Sequence, residues 1–170
     1  MEEQLIRYRQ ELLERLNSIA SDISKAAAAI PPGRLHEPLE SGDSPHRVLA
    51  HLRAIGSKAL SIRLQRILDE EEPFLPIFYD DQWMDAHYDP HEPLEKIIAD
   101  YSELRREQLE MIKDLPPHKW NRTARHPWWG VKTLQWWVEQ ILRYDEEHLQ
   151  KLREAGSRRK SMKLDSSEEL

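Results

Sequence analysis

The sequence has no cysteine, few glycines and no long apolar run. The absence of cysteine from 170 residues excludes disulfide bonds, thiolate metal ligands and a catalytic thiol. No run approaches the roughly 18 apolar residues of a membrane-spanning helix, and the N-terminus shows no signal-peptide pattern. With 33% charged residues and only five glycines, the composition favours helices with solvated charged faces over a sheet protein. We therefore expect a cytoplasmic, helical protein that does not bind a membrane.

Basic residues are also in short supply. The chain has 25 Lys and Arg against 31 Asp and Glu, which gives a formal net charge of −6. A nucleic-acid partner requires a basic face that neutralises phosphates. We expect no such partner, and a small molecule is the more plausible ligand.

Apolar residues recur at three- and four-residue spacing in four segments, which predicts four helices. These segments cover about residues 4–30, 44–70, 92–115 and 133–155. Ser44 as N-cap and Pro45 at the first helical position give the second helix a clear start. Four helices with one apolar stripe each predict an all-α four-helix bundle over residues 1–156, without a β-sheet. Residues 157–170 lack periodicity and are expected to form a disordered tail.

The connection between the second and third helices is too long for a hairpin. About 20 residues separate these helices, whereas antiparallel neighbours need only a few. A helix of about 27 residues is roughly 40 Å long, and 20 extended residues reach about 65 Å. The chain can therefore return along the bundle before the third helix begins. This length predicts parallel second and third helices and an up-down-down-up topology.

Two histidines fall on the inward stripes of their helices. His51 lies on the stripe of the second helix, and His148 lies near the middle of the stripe of the fourth. A single inward histidine is more often a hydrogen-bonded core residue than a ligand. Two on separate helices of one bundle also fit a metal site, because bundle metal centres are built from facing helices. Both interpretations stay open on spacing alone.

A catalytic divalent metal takes three protein ligands, so a third candidate is needed. Tyr144 projects together with His148, four residues later. A phenol with an ordinary pKa near 10 must lose its proton to become a good ligand. Asp145, three residues before His148, also points inward and can supply a carboxylate or orient the imidazole. Tyr144 and Asp145 are therefore the candidate catalytic residues, and His51 and His148 the candidate metal ligands.

Three stretches carry a resemblance to a known family. The stretch SPHRVLAHLRAIGSKAL resembles the second-helix signature of the DinB/YfiT-like superfamily, and LPPHKWNRTARHPWWGVKTLQWW with RYDEEHLQKL resembles its third loop and fourth helix. The resemblance extends over roughly residues 5–155. It implies a divalent metal held by three histidines, one from the second helix and two, spaced H-x3-H, from the fourth. The matching positions are His51, Tyr144 in place of the middle histidine, and His148, while Gly56 stands where the family often has an acidic residue.

The resemblance implies an enzyme whose affinity for zinc or nickel is weakened by Tyr144. Family members resemble metal-dependent transferases that join a low-molecular-weight thiol to an electrophilic small molecule, and a hydrolase that uses water instead is also compatible. In either case Tyr144 would ligate the metal or donate a proton. The alternative is a metal-free bundle that binds a small molecule or a protein, which Tyr144 and Gly56 favour. Retention of His51 and His148 on buried faces favours the enzyme, because an unpaired buried imidazole costs stability.

A second apolar strip on the second helix suggests self-association. Leu49, Leu60 and Ile67 form this strip, and Trp128 and Trp129 add apolar surface in the loop before the fourth helix. The two tryptophans can pack inward or cover a pocket as a lid. This surface exceeds what one small bundle needs to bury, so the sequence predicts a two-fold homodimer.

Overall fold

The computed structural model describes the backbone of residues 1–165 and the side chains of residues 1–156. This part of the chain contains six α-helices and one β-hairpin. The elements are α1 Glu2–Ala28, α2 Pro45–Ile55, α3 Ser61–Asp69, α4 Asp80–His87, α5 Leu94–Ile112, β1 Thr123–His126, β2 Gly130–Thr133 and α6 Leu134–Asp165. A π-helical turn, Gly56–Leu60, joins α2 to α3 without a break. The long helices of the bundle are therefore α1, α2–α3, α5 and α6, which confirms the four-helix prediction.

Side-chain contacts between α1 and α6 show that these helices run in the same direction. The Tyr8 hydroxyl donates a hydrogen bond to Glu139 at 2.8 Å. Two turns further along both helices, Arg15 forms an ion pair with Glu146. Because both pairs advance together, the first and last helices of the bundle are parallel.

The two middle helices are also parallel to each other. Arg53 on α2 pairs with Asp100 on α5 at 2.9 Å, and Ser61 on α3 accepts a hydrogen bond from Gln108 on α5 at 3.0 Å. The helix α5 runs opposite to α1, as contacts of α1 with α5 at Leu16–Arg105 and Ser24–Ser102 show. The predicted up-down-down-up topology is therefore confirmed.

The crossing connection between α3 and α5 has more structure than the sequence predicted. It contains the short helix α4 and is anchored at its far end by His46. The buried imidazole of His46 accepts a hydrogen bond from the Tyr88 hydroxyl at 2.6 Å and donates one to the Glu92 carbonyl at 2.7 Å.

Near the predicted start of α2, the Ser44 hydroxyl accepts a hydrogen bond from the Arg47 backbone N–H, as an N-cap does.

A two-stranded sheet corrects the expectation that no strand would form. The strands β1 and β2 pair antiparallel, from Thr123 opposite Thr133 to His126 opposite Gly130. Gly130 has a φ of +70°, which only glycine adopts without strain. The crossing connection runs alongside β1, where the Arg125 backbone N–H bonds to the Pro73 carbonyl at 2.9 Å. The hairpin therefore forms a small cap at one end of the bundle.

The second apolar strip on α2–α3 is covered within the single chain. Leu49, Leu60 and Ile67 are all buried in the core. The inference that this strip leaves a face for a second copy is therefore wrong. The homodimer stays a prediction that this strip no longer supports.

The last helix is longer than predicted. Its backbone continues to Asp165, past the predicted end near residue 155. The predicted disordered tail, residues 157–170, lies outside the residues whose side chains are described. Among the described helices, none is long and apolar enough to cross a membrane.

Candidate metal centre

His51 and His148 face each other across the core of the bundle. Their ring centroids are 5.7 Å apart, and the rings meet edge to face at 72°. The Nδ1–H of His148 donates a hydrogen bond to the Tyr144 carbonyl, four residues earlier, at 2.6 Å. Because Nδ1 carries the proton of the neutral ring, Nε2 presents a lone pair. This Nε2 is buried and has no hydrogen-bond partner among the described residues.

The charge state of His148 suits a metal ligand. The pKa of His148 is lowered to about 4, mainly by burial; the nearby His51 and Lys151 contribute to the shift, while the Tyr144 carbonyl and the Asp80 carboxylate oppose it. At neutral pH the ring is therefore uncharged. A neutral imidazole is the form that binds a metal ion.

Two carboxylates from the crossing connection complete the neighbourhood of His51. Asp80, in the first turn of α4, lies with its Oδ2 atom 2.6 Å from Nε2 of His51. The ligand atoms of His51, Asp80 and Asp81 all lie within 4.8 Å of one another. The sequence reasoning missed both aspartates. The signal that could have found them is a pair of adjacent acids at the start of a short helix, directly after the apolar stretch FLPIFY.

Tyr144, four residues before His148 on α6, remains a protonated phenol. Burial raises the pKa of Tyr144 above its usual value, and the Asp80 carboxylate raises it further, while the Arg63 guanidinium opposes both. A protonated phenol is a poor ligand but a good hydrogen-bond donor. Of its two predicted roles, this environment favours proton or hydrogen-bond donation.

Asp145 points away from the histidines. Its carboxylate lies 2.5 Å from Nη2 of Arg105 on α5, and the two side chains are only 2% and 5% exposed. Burial raises the pKa of Asp145, and the Arg105 guanidinium opposes this shift. The carbonyl of Tyr144, and not the Asp145 carboxylate, orients His148. The predicted role of Asp145 at the metal centre is therefore corrected to that of an ion-pair partner in the core.

The two tryptophans before β2 are both exposed, and both contact neighbouring aromatic rings. Trp129 stacks on the His126 ring at 4.2 Å and 18° and is still 37% exposed. Trp128 is 64% exposed and meets Tyr79 of the crossing connection edge to face at 6.4 Å. The predicted choice between inward packing and a lid therefore stays open for both side chains.

Comparison with known proteins agrees with this architecture. No family model matches the sequence, and a search of curated proteins found no match. Among solved structures, YfiT from Bacillus subtilis superposes with a TM-score of 0.80 and 18% identity over 88% of this chain and 86% of its own. The chain has the DinB/YfiT-like fold. The DinB-like protein YjoA from Bacillus subtilis matches with a TM-score of 0.57 and 12% identity, over 85% of this chain and 89% of its own.

The DinB/YfiT-like fold explains why residues so far apart in sequence meet. In this topology α2 and α6 are antiparallel neighbours, so His51 in α2 reaches His148 near the middle of α6. The long crossing connection required by parallel middle helices then places Asp80 at the same level. At 12–18% identity the comparisons establish the fold.

Proposed function

We propose that the protein is a metal-dependent hydrolase whose divalent cation is held by His51, His148 and Asp80. The observation that carries this proposal is the buried, unpartnered lone pair on Nε2 of His148, opposite the ring of His51. A buried imidazole nitrogen without a partner costs stability, and a bound cation would satisfy it. YfiT, which shares the fold, is described as a probable metal-dependent hydrolase.

The residues fit such an ion chemically. Two imidazoles and one carboxylate form a ligand set known from catalytic zinc sites, which keep a further position for water or substrate. Imidazole also suits nickel, so zinc and nickel are both proposed cations. His51 donates its Nε2 proton to Asp80 in this structure, so metal binding at that nitrogen would release a proton.

A bound divalent cation would polarise a substrate carbonyl and make water a better nucleophile. Side chains of the protein can take part in the proton transfers. Asp81 is exposed and lies beside the ligand atoms of His51 and Asp80, where its carboxylate can accept a proton from attacking water. Tyr144, a protonated phenol within electrostatic reach of Asp80, can donate a hydrogen bond to the oxygen that gains negative charge.

Two other functions are weaker candidates. The comparisons do not support transfer of a low-molecular-weight thiol, and this activity stays a prediction from the family resemblance. A metal-free bundle that binds a small molecule or a protein is the function that remains if the metal test below fails.

The protein purified without chelator is expected to contain about one zinc or nickel ion per chain. Replacing His148 or Asp80 with alanine removes a ligand and is expected to abolish most of this content. Elemental analysis by mass spectrometry measures the metal, and hydrolysis of a panel of nitrophenyl esters, with and without chelator, measures the activity. The His91→Ala variant, which removes an exposed histidine from the crossing connection, serves as the matched control.

The expected pattern is metal content and ester hydrolysis that fall together in the two ligand variants and stay unchanged in His91→Ala. Equal metal content in the wild type, His148→Ala and Asp80→Ala would contradict the proposed ligands. Metal loss without any change in hydrolysis would contradict the hydrolase and leave a structural ion.

Restoring the histidine that the family resemblance implies is expected to strengthen the site. Tyr144→His replaces a protonated phenol with an imidazole one helical turn from His148, so it adds a neutral nitrogen ligand. Competition with a colorimetric zinc chelator should show tighter binding than in the wild type, and Tyr144→Phe, which adds no ligand, should show no gain. An unchanged zinc affinity in Tyr144→His would mean that position 144 does not face the ion.

A further inference from the structure

Arg63 is a buried cation that lacks a carboxylate partner among the described side chains. The residue lies on α3 and is 8% exposed. Its one hydrogen bond within the described part of the chain runs from Nη2 to the Pro76 carbonyl at 3.4 Å, which is long. A guanidinium has five N–H donors, and a buried charge is normally paired. Arg63 therefore has unused donors in a place where charge is costly.

Trp137 adds a second unused donor beside this guanidinium. The central carbon of the Arg63 guanidinium lies 5.1 Å from the centre of the Trp137 ring, so the cation is held against the aromatic face. The ring is 1% exposed, and its Nε1–H has no acceptor among the described residues. An unpaired buried N–H costs free energy unless a ligand or water satisfies it.

His126 supplies a third donor. Its buried Nδ1 accepts a hydrogen bond from the Trp128 backbone N–H at 3.1 Å, so the proton of the neutral ring lies on Nε2. The ring lies 5.8 Å from that of Trp137. Burial lowers the pKa of His126, and the charge on Arg63 lowers it further, which places the imidazole within electrostatic reach of the guanidinium. The three side chains together form a donor-rich group without an acidic residue.

We propose that Arg63, Trp137 and His126 bind the carboxylate of a small molecule. A carboxylate accepts several hydrogen bonds at once and pairs well with the fork of an arginine. The rings of Trp129 and Trp137 beside these donors suit a flat, apolar group next to the charge. The substrate class is therefore an aromatic or apolar carboxylic acid with a hydrolysable bond.

Eleven residues separate Trp137 from His148 along α6, so the donor group lies about three helical turns, roughly 16 Å, from the metal centre. Tyr144 lies on α6 between these two side chains, seven residues after Trp137 and four before His148. Binding of the anion needs no metal, and only the description of the ligand as a substrate rests on the proposed hydrolase. The two ideas can therefore fail separately.

The test is titration of the full-length protein with benzoate in the presence of EDTA, with benzamide as the uncharged analogue. Nitrogen–proton correlation spectra report the indole N–H of Trp137 directly. Benzoate is expected to shift this resonance and to bind more tightly than benzamide. Replacing Arg63 with glutamine is expected to weaken benzoate binding by roughly tenfold or more, because a hydrogen bond to a charged group is lost. Arg63→Lys, which keeps the charge but not the fork, should retain part of the affinity.

The matched control is Arg66→Gln, on the same helix, because Arg66 is already paired with Glu70. It should leave benzoate binding unchanged, and so should His148→Ala, since the anion site does not include the metal ligands. Equal binding of benzoate and benzamide, or an unshifted Trp137 resonance in the wild type, would overturn the proposal even if Arg63→Gln fails to fold. Benzoate binding that disappears in His148→Ala would overturn it too, because the anion would then depend on the metal centre.

Discussion

Replacing Asp145 with alanine is expected to lower the free energy of unfolding by about 3–5 kcal/mol, the usual cost of breaking a buried ion pair from one side. The variant leaves the guanidinium of Arg105 buried without its anion. Among the residues that the structure describes, Arg105 would keep only neutral acceptors, the Leu16 carbonyl at 2.8 Å and the Gln108 side chain at 3.1 Å. Urea unfolding followed by circular dichroism measures the change.

The double variant Arg105→Met with Asp145→Leu is the informative partner experiment. It removes both charges and fills the space with apolar groups, so most of the lost stability is expected to return. Glu103→Ala, which breaks an exposed pair with Arg106 on the same helix, should change stability little. A single Asp145→Ala variant as stable as the wild type would show that the carboxylate does not hold Arg105 in the core.

The metal-free protein is expected to lose about 3 kcal/mol of stability through His148 as the pH falls from 7 to 4. Burial holds the pKa of His148 at about 4 in the folded chain, below its ordinary value of 6.5. Between these values the unfolded chain takes up a proton that the folded chain excludes. The contribution is therefore fully present above about pH 6.5 and is lost as the pH falls through about 4.

Urea unfolding in EDTA, at several pH values, of the wild type and His148→Leu isolates this effect. Other groups titrate in both proteins, so the difference in stability between them reports His148. The free energy of unfolding of the wild type, relative to that of His148→Leu, should fall by about 3 kcal/mol as the pH is lowered from 7 to 4. A difference that stays constant from pH 7 to pH 4 would mean that the folded protein protonates His148 as readily as the unfolded chain.

The helices and their order could be predicted because their signals are local and repeated. The apolar spacing along each helix, together with Ser44 and Pro45, located the bundle elements, and the length of the connection before α5 implied parallel middle helices. The facing of His51 and His148 also followed from the helical period, because both lie on inward stripes. These features can be predicted without knowing which helices pack against each other.

The parts of the site that were missed depend on tertiary neighbours. Asp80 lies in a short helix with little apolar periodicity, so nothing local indicated that it would reach His51. Asp145 has an inward position on the helical wheel, but the wheel does not show that α5 would present Arg105 to it. The hairpin was missed because β1 and β2 have four residues each, too short for alternation to stand out.

The π-helical turn between α2 and α3 sets the direction in which the side chains of α3 point relative to those of α2. Twelve positions separate His51 from Arg63, whereas eleven separate Trp137 from His148 on the antiparallel α6. At 3.6 residues per turn, eleven steps return a side chain to within about 20° of its starting direction, and twelve leave it about 120° away. The turn absorbs one residue, as π-bulges do, so His51 and Arg63 share a face and meet His148 and Trp137 in register. The turn thus keeps α3 in phase with α2 despite the additional residue. Deleting Ser57 would leave eleven regular helical steps between His51 and Arg63 and keep the cation against the indole, whereas twelve steps of regular α-helix would turn it away.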